Sequence, residues 1–509
     1  MSSFKITGLF IIFCCFTSCT TKSLPERIEN RNIIAERDYA WLHERIGDPE
    51  RLELTLDEAI DFALDHSLLL RVQQAELRLA DDAIFREMIL MLPNLEISGL
   101  VSHRSNRIES ISQSVEPQLA NFPPSFGSLQ TTSLWNVELA WNILNTGIQF
   151  FRTKEAKNAA WARNFVYQRT VQDLIRDVVS AYWLVAVMQA SAEDADELTV
   201  ISRDLAKKLR SQVDKGNISL ERATDLIGRI YYQQVQAKNL LRNYRGAIDQ
   251  FKALLGIPPC VEVIVKVPKE KILPGALPQP CELHQVALNY RPDLYQIDAE
   301  LALHEDEIRE ALLNLFPALT PFIRYTLDTN PFLVNNYWTS VGFSVLYDLL
   351  SIPLSISSQQ TAEDRVRVSQ AQRLYLSLTI LSQIHIVYAQ YQDSLDRFKD
   401  ARIYWEAKRN SFNLAEAKKK LDAIGDLEYV FPLADLLFAE TQMNLFYVEV
   451  MGNLEQLSNT IGIPRYFTEK YGLKPEPSIL EETGLVEEEL LEYSEEEEEQ
   501  TLEDSEPCI

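Results

Sequence analysis

His43, His66, His103, His284, His304 and His385 are the side chains of this 509-residue chain suited to acid–base work or metal ligation near neutral pH. Their spacing supports neither role. None falls in a His-Glu-x-x-His frame, and no Cys-x-x-Cys occurs outside the N-terminal apolar run. His304-Glu305-Asp306-Glu307 reads as a solvated helix face rather than a metal site. No phosphate loop, dinucleotide fingerprint or Gly-x-Ser-x-Gly elbow is present. The many Asp and Glu pairs at helical spacing are accounted for by solubility and side-chain pairing. The sequence therefore predicts no enzyme, no catalytic or metal site and no cofactor. The formal charge of -25 is concentrated at one end, with 15 acidic residues and no Lys or Arg between 476 and 509. That segment reads as a solvated, disordered tail over 465–509, a binding arm being the other reading. With no basic stripe to meet phosphate, nucleic acid is excluded as a partner.

The cysteines point elsewhere. Lys5 and the apolar run 6–16 make a secretion signal too short to span a bilayer. It ends in Phe16-Thr17-Ser18-Cys19, which resembles a bacterial lipoprotein cleavage box, although Phe16 stands where Leu is usual. The resemblance implies a signal peptide over 1–19 and acyl chains, palmitate among them, on Cys19. A signal peptide with an incidental cysteine is the alternative. Cys260 and Cys281 would then lie in an oxidising compartment that permits a disulfide. Spacing alone leaves their pairing open.

The elements that would position such groups come in two copies. Residues 56–95 and 280–319 match without a gap at an offset of 224, Ala75-Glu76-Leu77 falling on Ala299-Glu300-Leu301 and Pro93 on Pro317. Such self-similarity marks a tandem duplication. After a lead-in over 20–54, the first repeat covers 55–259 and the second 282–464, with a linker over 260–281. Each repeat reads as a short helix, a medium helix, a β-hairpin, a long helix and a terminal helix. Thr55 is placed to cap the first helix, and Pro93 ends the second. The long helices are expected over about 148–213 and 353–423. Gly256-Ile257-Pro258 and Gly462-Ile463-Pro464 end the terminal ones.

In the hairpins the apolar period changes from helical to two. Ile97, Val101, Trp135, Val137, Leu139 and Trp141 form one face of the first hairpin, and Ile323, Tyr325, Val341, Phe343 and Val345 one face of the second. Strands of about ten residues with this alternation have the pattern of transmembrane barrel strands, and Trp135, Trp141, Tyr337 and Tyr347 suit interfacial belts. Four strands cannot close a barrel, and an open edge in lipid costs several kcal/mol for each unpaired backbone group. Several chains would have to share one barrel, two giving eight strands and three giving twelve. A soluble antiparallel sheet packed on one face shows the same alternation. Against it stand the helices, roughly 100 Å long at ~1.5 Å per residue, hardly those of a compact enzyme core.

Taken together, the chain resembles the TolC-type outer-membrane efflux proteins over about 54–464. The resemblance rests on the opening Leu56-Asp57-Glu58-Ala59-Ile60 of each repeat, Leu92-Pro93-Asn94-Leu95, Trp141-Asn142-Ile143-Leu144-Asn145-Thr146-Gly147, the turn Lys215-Gly216-Asn217-Ile218-Ser219-Leu220, and Leu255-Gly256-Ile257-Pro258. It implies a mainly α fold with a transmembrane β-barrel contribution. Four strands per protomer would join a twelve-stranded barrel in a homotrimer, and long antiparallel helices would form an α-barrel in the periplasm. It implies an outer-membrane exit duct for efflux or type I secretion, working with a periplasmic adaptor and an inner-membrane pump. The helix turns carrying Asp214, Gly216 and Asn217, and Asp422, Gly425 and Asp426, would be the periplasmic tips and gate. Asp422-Ala423-Ile424-Gly425-Asp426-Leu427, followed by Pro432, departs from the first tip, so which tip meets which partner stays open. Asp422 or Asp426, gathered threefold, would make an acidic ring at a constriction; an ordinary solvated cap is the other reading. A lipid-anchored periplasmic coiled-coil scaffold or adaptor that does not span the membrane is the alternative function.

Overall fold

The computed structural model describes residues 24–47, 51–110, 125–215, 219–266 and 277–465. The signal peptide, Cys19, Gly216, Asn217 and the acidic tail after residue 465 lie outside the described residues. In chain order the elements are α1 (Leu24–Glu29), α2 (Arg31–Glu44), β1 (Arg51–Leu54), α3 (Leu56–His66), α4 (Leu68–Leu90), β2 (Asn94–His103), β3 (Glu109–Ser110), β4 (Ser125–Phe126), β5 (Thr131–Ala140), α5 (Ile143–Asp214), α6 (Leu220–Leu255), β6 (Glu262–Val265), α7 (Pro280–Tyr290), α8 (Pro292–Leu313), β7 (Ala318–Asp328), β8 (Tyr337–Leu346), α9 (Ile352–Lys420) and α10 (Asp426–Thr460). The starts of α3, α4 and β2 recur in α7, α8 and β7 at an offset of 224. Those of β5 and α6 recur in β8 and α10 at 206, because the β7–β8 connection is shorter than the β2–β5 one.

Local chemistry explains the element ends. The Thr55 side chain accepts from the Glu58 N–H while the Glu58 carboxylate accepts from the Thr55 N–H, a reciprocal cap that starts α3. Ser219 accepts from the Arg222 N–H at the start of α6. Gly256 ends α6 with φ +70° and Gly462 follows α10 with φ +82°, left-handed conformations open to glycine. A side chain is excluded at both for a second reason: a Cβ would lie 2.7 Å from the His66 carbonyl oxygen at Gly256 and 2.6 Å from that of Tyr290 at Gly462. Each terminal helix thus seats its glycine on the last residue of its own repeat's short helix.

Two compact units divide the chain, each drawing on both repeats; α5, α9 and α10 contribute residues to both. The described residues of the first unit lie within 24–68, 174–266 and 391–455. Its core is a helical seam in which Ala195, Leu198 and Leu205 of α5 meet Ile230 and Ala237 of α6 and Val430, Ala434 and Leu437 of α10. Segments expected as lead-in and linker hold a parallel strand pair here, β1 with β6. The amide side chain of Gln189 brackets Val265, donating to its carbonyl and accepting from its N–H, and the Tyr182 hydroxyl donates to the Lys266 carbonyl. Four residues each, they were too short for any period to mark them.

The described residues of the second unit lie within 69–173, 277–390 and 456–465. Its four-stranded sheet has the order β2-β5-β7-β8, antiparallel throughout. Leu283 and Ala287 of α7 pack with Ile380, Ile384 and Val387 of α9 and with Leu457 and Ile461. Two expectations are corrected in this unit. The long helix α5 begins at Ile143, before the expected 148, and runs through Gly147. Asp306, placed on a solvated face, is buried, accepting from Asn158 Nδ2 at 3.2 Å and from Arg309 at 2.8 Å. Arg309 is three residues along the same helix, but the contact with Asn158 of α5, which helical spacing cannot record, comes from another element.

Candidate functional site

The sheet has one oily and one wet face, and its register shows how the alternation produces them. Leu95, Leu139, Ile323 and Val341 lie in one cross-strand row, and Ile97, Val137 and Tyr325 in another. In the rows between, Glu96, Glu138, Arg324 and Ser340 stand side by side, as do Ser98, Asn136 and Thr326. Arg324 Nε donates to Glu138 at 2.6 Å and Thr326 Oγ1 to Asn136 at 2.9 Å, so the polar face is tied together across strands. Gly99 makes room for an aromatic ring: a Cβ there would come within 2.6 Å of the Trp135 side chain. Trp141 follows β5, and its indole N–H donates to Thr146 Oγ1 at 2.7 Å, which leaves the ring partly exposed.

The apolar face is open. Ile97, Val101, Trp135, Val137, Leu139, Trp141, Ile323, Tyr325, Val341, Phe343 and Val345, the residues expected to face lipid, are all exposed, at 71% for Ile97 and 76% for Val341. A contiguous apolar surface of this kind marks a membrane or partner interface. The edges are open too. Among the described residues β2 pairs only with β5 and β8 only with β7, so each edge strand offers a row of unused backbone groups. No helix among the described residues is long and apolar enough to cross a membrane.

In the first unit, the turn between α9 and α10 carries the second acidic cluster. Asp422 has φ +53°, a left-handed conformation rare outside glycine and least unfavourable for Asn and Asp. Its N–H donates to the Lys419 carbonyl and that of Ala423 to the Lys418 carbonyl, which closes the end of α9. At the repeat offset of 206, Asp422 stands where the first repeat has Gly216. Asp426 opens α10, with Lys419 Nζ at 2.7 Å and Lys208 Nζ at 3.5 Å from its carboxylate. The Lys419 hydrogen bond, with the Lys419 charge next, holds that carboxyl below its ordinary range. The acidic-ring reading therefore changes for Asp426, which arrives already paired with two lysines. Gly425 is exposed in the same turn, and Asp214 ends α5.

Two groupings escaped the sequence reading because their members are far apart in the chain. Glu155 of α5 and Glu310 of α8 lie together with Arg152, whose guanidinium donates to Glu310 at 2.8 Å. Burial, then the neighbouring Glu310 charge, pushes the Glu155 carboxyl up to about 8. His284 and His385 also meet, Nε2 to Nε2 at 3.0 Å, and Cys281 lies beside them. Cys260 and Cys281, whose pairing the sequence left open, are free, exposed thiols here, one in the turn after α6 and the other in the first turn of α7.

No protein-family model matches the sequence, and no curated protein matches it. Solved structures do. The CmeC outer-membrane channel of Campylobacter jejuni superposes with a TM-score of 0.62 at 13% identity, covering 80% of this chain and 85% of that one. CusC, solved for its folding and transmembrane channel formation, gives 0.61 at 15% identity over 80% and 92%. The open state of the Neisseria gonorrhoeae MtrE outer-membrane channel gives 0.58 at 15% identity over 80% and 88%. Duplicated helices, a four-stranded antiparallel sheet and these likenesses together establish that the chain has the fold of the TolC-type outer-membrane efflux channels.

Proposed function

We propose that this protein is an outer-membrane channel, the passive exit duct of a tripartite efflux or type I secretion system. One observation carries the reading furthest: the sheet's apolar face and both of its edges are exposed in a single chain. Open edges in hydrocarbon leave backbone groups unpaired at several kcal/mol each, so β8 of one copy must pair with β2 of the next until the sheet closes. Three copies close a twelve-stranded barrel, since each contributes four strands. The wet face, with Glu138, Arg324, Asn136 and Thr326, then lines the lumen. Cys19, if lipidated, anchors the N-terminus in the same membrane, and the helix turns meet a periplasmic adaptor and an inner-membrane pump.

Purified protein reconstituted in planar bilayers should conduct and run as a heat-modifiable trimer. A monomer that stays water-soluble after removal of Cys19, without conductance, would overturn the proposal in favour of a lipid-anchored periplasmic scaffold. Val137→Arg and Val341→Arg separate the two as well. A cation on the lipid face near mid-membrane costs about 2–4 kcal/mol and would deplete the assembled trimer, whereas on a water-exposed sheet it would be nearly neutral.

A further inference from the structure

Helices α7 and α9 bring three side chains with metal-binding atoms to one spot in the second unit. Cys281 and His284 are three residues apart on α7 and so share a face of it; His385 comes from α9. One ligand atom from each lies within 4.8 Å of the other two. The His284 and His385 rings meet at an interplanar angle of 61°, their Nε2 atoms 3.0 Å apart. In that contact one imidazole donates and the other accepts, so at least one ring is neutral, the form that ligates metal.

The geometry is close to what an ion would impose. A tetrahedral Zn2+ with Zn–N near 2.0–2.1 Å and Zn–S near 2.3 Å holds its two nitrogens roughly 3.3–3.4 Å apart and sulfur about 3.5 Å from each. Leu283 and Ile384, the chain neighbours of the two histidines, are 2% and 0% exposed and belong to one packed core with Ala287, Ile380 and Leu457. That core fixes the distance between the helices and preorganises the ligands. Cys281 and His385 are exposed and His284 half-buried, which gives an ion a way in and leaves a fourth position to water. One thiolate and two imidazoles select against Mg2+ and Ca2+ and suit thiophilic transition metals.

We infer that Cys281, His284 and His385 form a binding site for a thiophilic transition-metal ion, with Zn2+ as the reference ligand, which clamps α7 to α9. The inference is independent of the channel reading, since it rests on the second unit's core alone. Full-length protein, reduced and freed of metal by chelation, is titrated with Co2+ as a spectroscopic probe. One equivalent per chain should produce a thiolate-to-cobalt charge-transfer band that Zn2+ abolishes. Cys281→Ser should remove the band. His385→Gln, an exposed change that leaves the core intact, should weaken binding by at least the ~10–100-fold that loss of even a supporting group costs. Cys260→Ser should change neither result. The acidic tail carries a thiol of its own, Cys508, so Cys508→Ser, like Cys260→Ser, should leave both the band and the affinity unchanged. A wild-type protein with a reduced Cys281 and no band would overturn the assignment, as would a band that survives in Cys281→Ser. A Cys260–Cys281 disulfide in protein purified without reductant would overturn it too, because the thiolate would no longer exist.

Discussion

Glu155 shows what a single misplaced charge does to this fold. Free in the unfolded chain its carboxyl titrates near 4.5, but in the folded protein near 8, mainly because burial disfavours the charged form and secondarily because Glu310 is beside it. Between those values the folded state holds a proton that the unfolded state has released, so stability falls as pH rises from about 4.5 through 8. Glu155→Gln keeps the shape and removes the titration. It should raise the unfolding midpoint at pH 8, change little at pH 5, and flatten the curve between them, as denaturation at a series of pH values will show. Asp422 gives a different kind of test. Its left-handed backbone costs an ordinary L-residue about 1–2 kcal/mol. Asp422→Gly should therefore be neutral or stabilising by up to ~1 kcal/mol, and Asp422→Val destabilising, read by chemical denaturation. Asp426 carries the functional counterpart. Asp426→Ala leaves Lys419 and Lys208 without their shared carboxylate, so the turn becomes more positive. In bilayers, single-channel recordings should show a shift toward anion preference; unchanged conductance and ion preference in both Asp422→Ala and Asp426→Ala would remove these residues from the gate.

At the scale of elements, the repeat is held by one joint made twice. Helix α6 ends at Gly256 against the last carbonyl of α3, and α10 leads to Gly462 against the last carbonyl of α7. Arg45 and Arg291 reinforce the two joints, Arg45 donating to the His66 carbonyl and Arg291 to that of Thr460 at 3.2 Å. Gly256→Ala or Gly462→Ala would meet both a left-handed backbone and a carbonyl closer than any Cβ tolerates. Each should cost more than the ~1–2 kcal/mol of the backbone conformation alone, measured as a drop in unfolding midpoint. A loss below ~1 kcal/mol at both would mean that the joint yields and is not what positions the short helices. The hairpins behave differently from the helices. Their strands alternate apolar and polar side chains over much of their length, and among the described residues the apolar side stays exposed.

At the scale of the whole molecule, that uncovered side is an unfinished structure. A sheet with an apolar face and two free edges is an aggregation hazard in water, and a closed barrel in lipid removes both problems at once. Assembly and membrane insertion are thereby coupled in the proposed duct: variants that block pairing of β8 with β2 should fail to insert as well as to trimerise. A Pro in the middle of β8, as Ser344→Pro, removes a ladder donor from an edge strand. It should abolish heat-modifiable trimer and conductance together. Trimers that persist without conductance would separate the two steps.

The sequence by itself determined the duplication, the order of helices and hairpins, the capped and glycine-terminated helix ends and the two-faced strands. Each is encoded locally: period two or three-to-four, a Thr or Ser cap, a glycine where φ must be positive. It could not determine which distant residues meet. The β1–β6 pair, the Glu155–Glu310 couple and the Cys281, His284 and His385 group each join segments separated by about a hundred residues or more, and no periodicity records such a meeting. The fate of the Asp426 charge belongs with them, since Lys208 reaches it from another helix. Patterns along a chain fix what each stretch buries and how it turns. Distances between charges, thiols and imidazoles exist only once packing of the cores has set the helices side by side.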